Sequence, residues 1–168
     1  MAGPQLRWHA LTATHKHERT ACNHLLNKGL EGFWPVCRAR RHWSDRIKQL
    51  DVALFPGYLF CRFPPLARAS VLSTPGVTSI VSFGKLPGIV EDDEIAAIRT
   101  ILASGLPAQP WPYLQAGQRV RIEQGCLQGL TATLVRCRDE FRVVVNVELL
   151  QRSVAVEIDR NLIRPLAA

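Results

Sequence analysis

The stretch from residue 105 to residue 113, GLPAQPWPY, sets three prolines in nine residues. Proline lacks an amide donor and its fixed φ disfavours helix, so this segment is expected to run extended, as a linker. It also marks a change of rhythm. Before it, helical and alternating stretches are interleaved. After it, short alternating stretches follow one another. The two patterns call for two domains, residues 1–104 and 114–168, with 105–113 between them. A chain of 168 residues that is 47% hydrophobic can supply a core to each.

In the first part, residues 7–14 read as a strand. Residues 15–28 read as a helix carrying Ala21, Cys22, Leu25 and Leu26 on one stripe, with Gly29 as its stop. Residues 33–41 read as a second strand and 58–63 as a third. A short helix over 66–73 ends at Thr74-Pro75-Gly76, and 77–83 reads as another strand. Residues 92–103 have the clearest helical pattern: three acids at the start suit the helix dipole, and Ile95, Ile98 and Leu102 share a face. This order suggests an α/β sandwich, one sheet covered by helices. In the second part, residues 119–123, 132–137, 141–149 and 153–158 read as strands, close enough together for a small barrel. The β-branched run over 143–147 favours a stable barrel.

The formal net charge of +7 makes a polyanion, nucleic acid first, a plausible partner. Five cysteines, an odd number without a C-x-x-C pair, argue against a disulfide framework and a structural zinc site. The apolar runs are too short for a membrane span, and MAGPQLRWHA lacks the core of a signal peptide, so the chain is expected in the cytoplasm. Catalysis is not expected. Cys22 and His24 are two apart on a helix, on different faces, a poor geometry for nucleophile and base. Asp92, Asp93 and Glu94 are explained by their place at a helix start, and no phosphate-cradling glycine loop occurs. No metal and no cofactor is expected.

The run LFPGYLFCRF, residues 54–63, is broken by Pro56-Gly57 and then alternates. Leu59, Cys61 and Phe63 point one way, Tyr58, Phe60 and Arg62 the other. The first set is an ordinary core face. The second, two aromatics and a cation, is either a core under a covering helix or a surface that meets a partner.

Taken together, these stretches resemble the NusG family of transcription elongation factors. The first part carries Trp8, Glu18 in the first helix, Pro35 after an aromatic pair, Phe55-Pro56-Gly57-Tyr58 with Phe60, Thr74-Pro75-Gly76-Val77 and Phe83-Gly84. The second resembles the KOW motif through Gly117, Val120, Gly125 and Gly129. The resemblance implies an α+β protein: an NGN-type α/β sandwich with a mostly antiparallel sheet, then a small SH3-like barrel. The basic stretch Arg38-Ala39-Arg40-Arg41-His42 and the compact length are closer to specialised, RfaH-like antiterminators of polysaccharide operons.

The resemblance also implies function. The face around F-P-G-Y would bind the clamp helices of RNA polymerase β′, through Phe55, Tyr58 and Phe60, with Thr12 on the neighbouring strand. Aromatic anchors of this kind dominate interfaces. Tyr58 and Phe60 are accordingly expected to be partly exposed. The segment 38–48, RARRHWSDRIK, offers Arg38, Arg40, Arg41, Arg46 and Lys48 to phosphates, and His42 or Trp43 to an unpaired base of the non-template DNA strand. Without a partner the same run is a solvated loop. Gly125 and Gly129 are expected at turns needing positive φ. The barrel would recruit a ribosomal protein or Rho, and the whole would act as a monomer that suppresses pausing and termination. The alternative is a ribosome-associated RNA-binding protein with a KOW barrel.

Overall fold

The computed structural model describes residues 4–167. The chain divides into two units, residues 4–34 with Phe55–Asp92, and Pro35–Leu54 with residues 93–167.

The first unit is built on β1 (Arg7–Ala13), α1 (Glu18–Asn27) and β2 (Glu31–Phe33). In the second unit, β3 (Val36–Trp43) and β4 (Arg46–Ala53) pair with each other as a hairpin. The chain then returns to the first unit as β5 (Tyr58–Phe63), α2 (Arg68–Leu72), β6 (Val77–Ile80), β7 (Ser82–Phe83) and β8 (Leu86–Pro87). The stretch read as one strand over 33–41 is therefore two. Pro35 has no amide to give a ladder, and the chain changes partners there: β2 pairs with β5, β3 with β4. Residues 46–53, RIKQLDVA, form a strand that their mixed pattern does not announce.

The sheet of the first unit has the order β2-β5-β1-β6, with β5 and β1 in the middle. Its register sorts the side chains. Leu11 lies opposite Leu59 and His9 opposite Cys61 on one face; Thr12 opposite Tyr58 and Ala10 opposite Phe60 on the other. On the first face Leu11, Leu59, Cys61 and Phe63 close against Ala21, Cys22 and Leu25 of α1 and Val71 of α2. Leu26, expected on the buried stripe, is 49% exposed. Burial of Leu25 contributes roughly 2 kcal/mol and the smaller Ala21 and Cys22 add to it, which helps keep the short α1 folded.

In the second unit α3 (Asp92–Ala103) buries Ile95, Ile98 and Ile101, so Ile101 takes the place expected for Leu102. The remaining strands are β9 (Ala108–Pro112), β10 (Gln118–Ile122), β11 (Thr131–Cys137), β12 (Glu140–Val147), β13 (Arg152–Ile158) and β14 (Ile163–Pro165). They form one antiparallel sheet in the order β14-β10-β11-β12-β13-β9. Its core is Val120, Ile122, Leu130, Val143, Val145, Val147, Val154 and Val156, all buried. Gly125 and Gly129 both have φ +88°, as their turns require.

Residues 108–112 correct the expectation of a linker. They are extended, but they pair with β13 from Ala108 opposite Val156 to Pro112 opposite Arg152. Proline is tolerated because β9 is an outermost strand, where an absent donor breaks no second ladder. The other outermost strand, β14, also contains a proline, Pro165.

Candidate functional sites: an aromatic face and a basic hairpin

The second face of the first unit's sheet is graded along its length. At its centre Phe60 is fully buried, and Phe55 is 1% exposed. Their rings meet edge to face, 5.6 Å apart at 85°. Phe33 stands 6.2 Å from Phe60 and 6.4 Å from Trp8, so four aromatics form one chain. Such contacts add roughly 0.5–1.5 kcal/mol each beyond the area they bury. Beyond them Arg62 and Glu31, opposite each other in register, form an ion pair of 3.7 Å. At the other end Tyr58 and Thr12 are half-buried neighbours across the strands. The Thr12 hydroxyl shares a 2.6 Å hydrogen bond with that of Ser79.

The expected exposure of Tyr58 and Phe60 is thus half right. Tyr58 reaches solvent and Phe60 does not. The reading of Phe55 and Phe60 as core describes their surroundings, because both rings are buried and pack edge to face against each other. Alternation gave the right face; it carried no information on what lies over it.

The turn that starts the face is held from α1. Glu18 is 7% exposed, and its carboxylate accepts a 3.0 Å hydrogen bond from the Gly57 amide. Gly57 has φ +83°, a conformation that L side chains avoid, and the Tyr58 amide donates to the Phe55 carbonyl at 3.0 Å. In the sequence Glu18 stands out only through the resemblance to the family. Its link to Pro56-Gly57 joins residues 39 apart, and no local pattern reveals it.

Three further buried groups of this unit, Cys22, Cys61 and His9, belong to its packing. Burial pushes the Cys61 thiol up to about 12, helped by Cys22 and Glu31 nearby, and burial raises Cys22 as well. Both stay protonated at neutral pH, so neither is an activated nucleophile. His9 lies 4.5 Å from the Phe63 ring, with Nδ1 2.8 Å from the Gly88 carbonyl. Burial holds its pKa below the usual value, against a smaller opposite pull from that carbonyl.

The basic run forms the distal half of the β3–β4 hairpin rather than a loop. The turn is Ser44-Asp45, and the register places Arg38 opposite Asp51, Arg40 opposite Gln49, Arg41 opposite Lys48, His42 opposite Ile47 and Trp43 opposite Arg46. Residues 40–49 are all exposed. Trp43 is 55% exposed, and the Lys48 ammonium lies 5.6 Å from its ring centre, a cation–π distance. Arg38 and Asp51 approach to 4.0 Å, as do Arg46 and Asp45. The seven residues singled out here, Arg38, Arg40, Arg41, His42, Trp43, Arg46 and Lys48, are brought together on one hairpin but divided between its two faces.

Comparison with known proteins bears on both sites. Residues 6–99 match the family model described as transcription termination factor nusG. That span contains the whole first unit from β1 to β8, the hairpin and the first turns of α3. The chain is 26% identical over 157 residues to the transcription termination/antitermination protein NusG of Lactococcus lactis, covering 90% of this chain and 83% of that one. It is 24% identical over 118 residues to the protein of the same name from Helicobacter pylori strain J99, covering 68% and 67%. The solved structure of Thermotoga maritima NusG superposes with a TM-score of 0.57 at 20% identity, over 97% of this chain and 98% of that one. The two chains share a fold, and the six-stranded sheet fits its KOW, SH3-like part.

Proposed function

The chain belongs to the NusG family of transcription termination and antitermination factors, proteins that bind rather than catalyse, and from that premise we propose that it binds RNA polymerase through the face of β5 and β1. The partner element is the clamp-helix tip of β′. Binding there keeps the clamp closed and suppresses pausing and termination. Residues 1–104 act as the N-terminal domain, and the barrel over 114–168, extended by β9, recruits a ribosomal protein or Rho. All of this takes place in the cytoplasm.

The observation that carries the reading is the geometry of the F-P-G-Y turn. Glu18 and Gly57 fix the turn, Phe55 and Phe60 form a buried floor beneath it, and Tyr58 with Thr12 reach solvent at its edge. A rigid aromatic edge loses little entropy on docking. Tyr58 and Thr12 make the contact; Phe55 and Phe60 hold them in place.

The test is competition for core RNA polymerase. Tyr58→Ala should weaken binding by about thirtyfold, the equivalent of about 2 kcal/mol for an aromatic anchor. Antitermination in a purified transcription assay should fall with it, and the melting temperature should hold. Wild-type binding by this variant would remove the face from consideration.

The hairpin supplies the nucleic-acid contact, to the exposed non-template strand beside the polymerase. The exposure of its cations supports this. The basic hairpin is also what makes a specialised antiterminator the preferred subtype.

A further inference from the structure

The hairpin has two faces, and they are not equivalent. Residues opposite each other on paired strands share a face, and so do residues two apart along a strand. One face therefore carries Arg38, Asp51, Arg40, Gln49, His42 and Ile47. The other carries Ala39, Leu50, Arg41, Lys48, Trp43 and Arg46.

On the first face a cation lies opposite an anion, Arg38 with Asp51, which stabilises a two-stranded ribbon. On the second, Arg41 lies directly opposite Lys48. Like charges in that position destabilise pairing. A lone two-stranded hairpin has little stability to spare. Neither Arg41 nor Lys48 has an acidic partner among the described residues; the nearby acid, Asp45, sits in the turn and pairs with Arg46. Trp43 adjoins the pair, more than half exposed, with Lys48 against its ring.

We infer that the face bearing Arg41, Trp43 and Lys48 is a platform for single-stranded nucleic acid. A phosphate seated between Arg41 and Lys48 relieves their repulsion, and an unpaired base stacks on Trp43. The opposite face, where Asp51 matches Arg38 and Arg40 lies opposite the neutral Gln49, has no pair of facing cations and takes no part. A duplex supplies the phosphate but hides its bases, so the platform prefers a single strand. This rests on the hairpin being the nucleic-acid contact at all, and the experiment separates the two ideas.

The full-length protein is titrated against a fluorescent mixed-sequence single-stranded DNA oligonucleotide and its duplex, with affinity followed by anisotropy over a range of salt. Two double variants remove the same charge from opposite faces: Arg41→Gln with Lys48→Gln, and Arg38→Gln with Arg40→Gln. The first should lose about tenfold or more in single-strand affinity. Its slope of log affinity on log salt should flatten by about 0.7, the value for one phosphate contact on a single strand. The second should change affinity less than about threefold, the small general effect of lowering net charge.

Trp43→Ala should weaken single-strand binding by about tenfold without moving the salt slope, as loss of one stacked base predicts. Trp43→Tyr, which keeps a ring, should restore most of it. Circular dichroism of each variant checks folding, and Arg41→Gln with Lys48→Gln should melt no lower than wild type. Equal losses from the two double variants would overturn the platform while leaving the hairpin as a charged contact. No loss from either would remove the hairpin from nucleic-acid binding altogether.

Discussion

Strands β5 and β3 follow the same alternation and finish in opposite surroundings. Tyr58–Phe63 has neighbours on both edges and buries Leu59, Phe60, Cys61 and Phe63. Val36–Trp43 has one neighbour and leaves its outer half in solvent on both faces. Period two tells which residues share a face. Whether that face meets protein, partner or water is decided by what the sheet brings alongside, and that is information held elsewhere in the chain.

The comparison breaks most visibly at Phe60. If the second face of β5 is core, Phe60→Ala removes a fully buried ring. Stability should then fall by about 3–5 kcal/mol in a urea titration. A loss under about 1 kcal/mol would mean that the ring is a surface group after all, and that β5 resembles β3. Leu59→Ala, on the face packed against α1, should destabilise by about 2–5 kcal/mol. Both faces of β5 should therefore be sensitive to truncation.

A smaller effect tests the brace beneath the F-P-G-Y turn. Glu18→Ala leaves the Gly57 amide without its carboxylate and should lower stability by about 2 kcal/mol. It should also weaken polymerase binding, because Tyr58 follows the turn. A Glu18→Ala protein with unchanged binding and stability would show that the brace is incidental.

His9 sharpens the same contrast through pH. Its folded pKa lies below the usual 6.5 because burial disfavours the charged ring. The neutral form is the one that folds. The stabilising contribution is therefore complete above pH 6.5 and is lost as pH falls toward the folded value. Melting temperature followed from pH 7.5 to 5 should drop in wild type and drop less in His9→Gln. The hairpin, by contrast, lies in solvent on both faces over residues 40–49. The smallest effect is expected there: Trp43→Ala should move stability by no more than about 0.5 kcal/mol, as befits an exposed residue.

These expectations follow the line between what the sequence discloses and what it withholds. The faces of β5 are legible because hydrophobic side chains recur at every second position. So is α1, through Ala21, Cys22 and Leu25. Strand β4 is not, because its exposed half is under no pressure to alternate. Nor is β9, whose prolines suggest a linker to any local reading; only the ladder to β13 makes it part of the barrel. The Glu18–Gly57 bond and the burial of Phe60 depend on contacts between distant segments. For the candidate sites the chemistry of each residue was evident, while the division of the hairpin cations between two faces needed the register of β4.

The two prolines of β9 and the one in β14 have a consequence for the cell. An unpaired strand edge is a template on which other chains can add, and a β-rich domain with open edges is at risk of fibril growth. Here each end of the six-stranded order stops at a strand whose donor row is interrupted, at Pro110 and Pro112 on one side and Pro165 on the other. A newly made copy, emerging among thousands of unfinished chains, offers no continuous row of amides for a neighbour to extend. Proline thus blunts both ends of the sheet against growth by addition of a like strand.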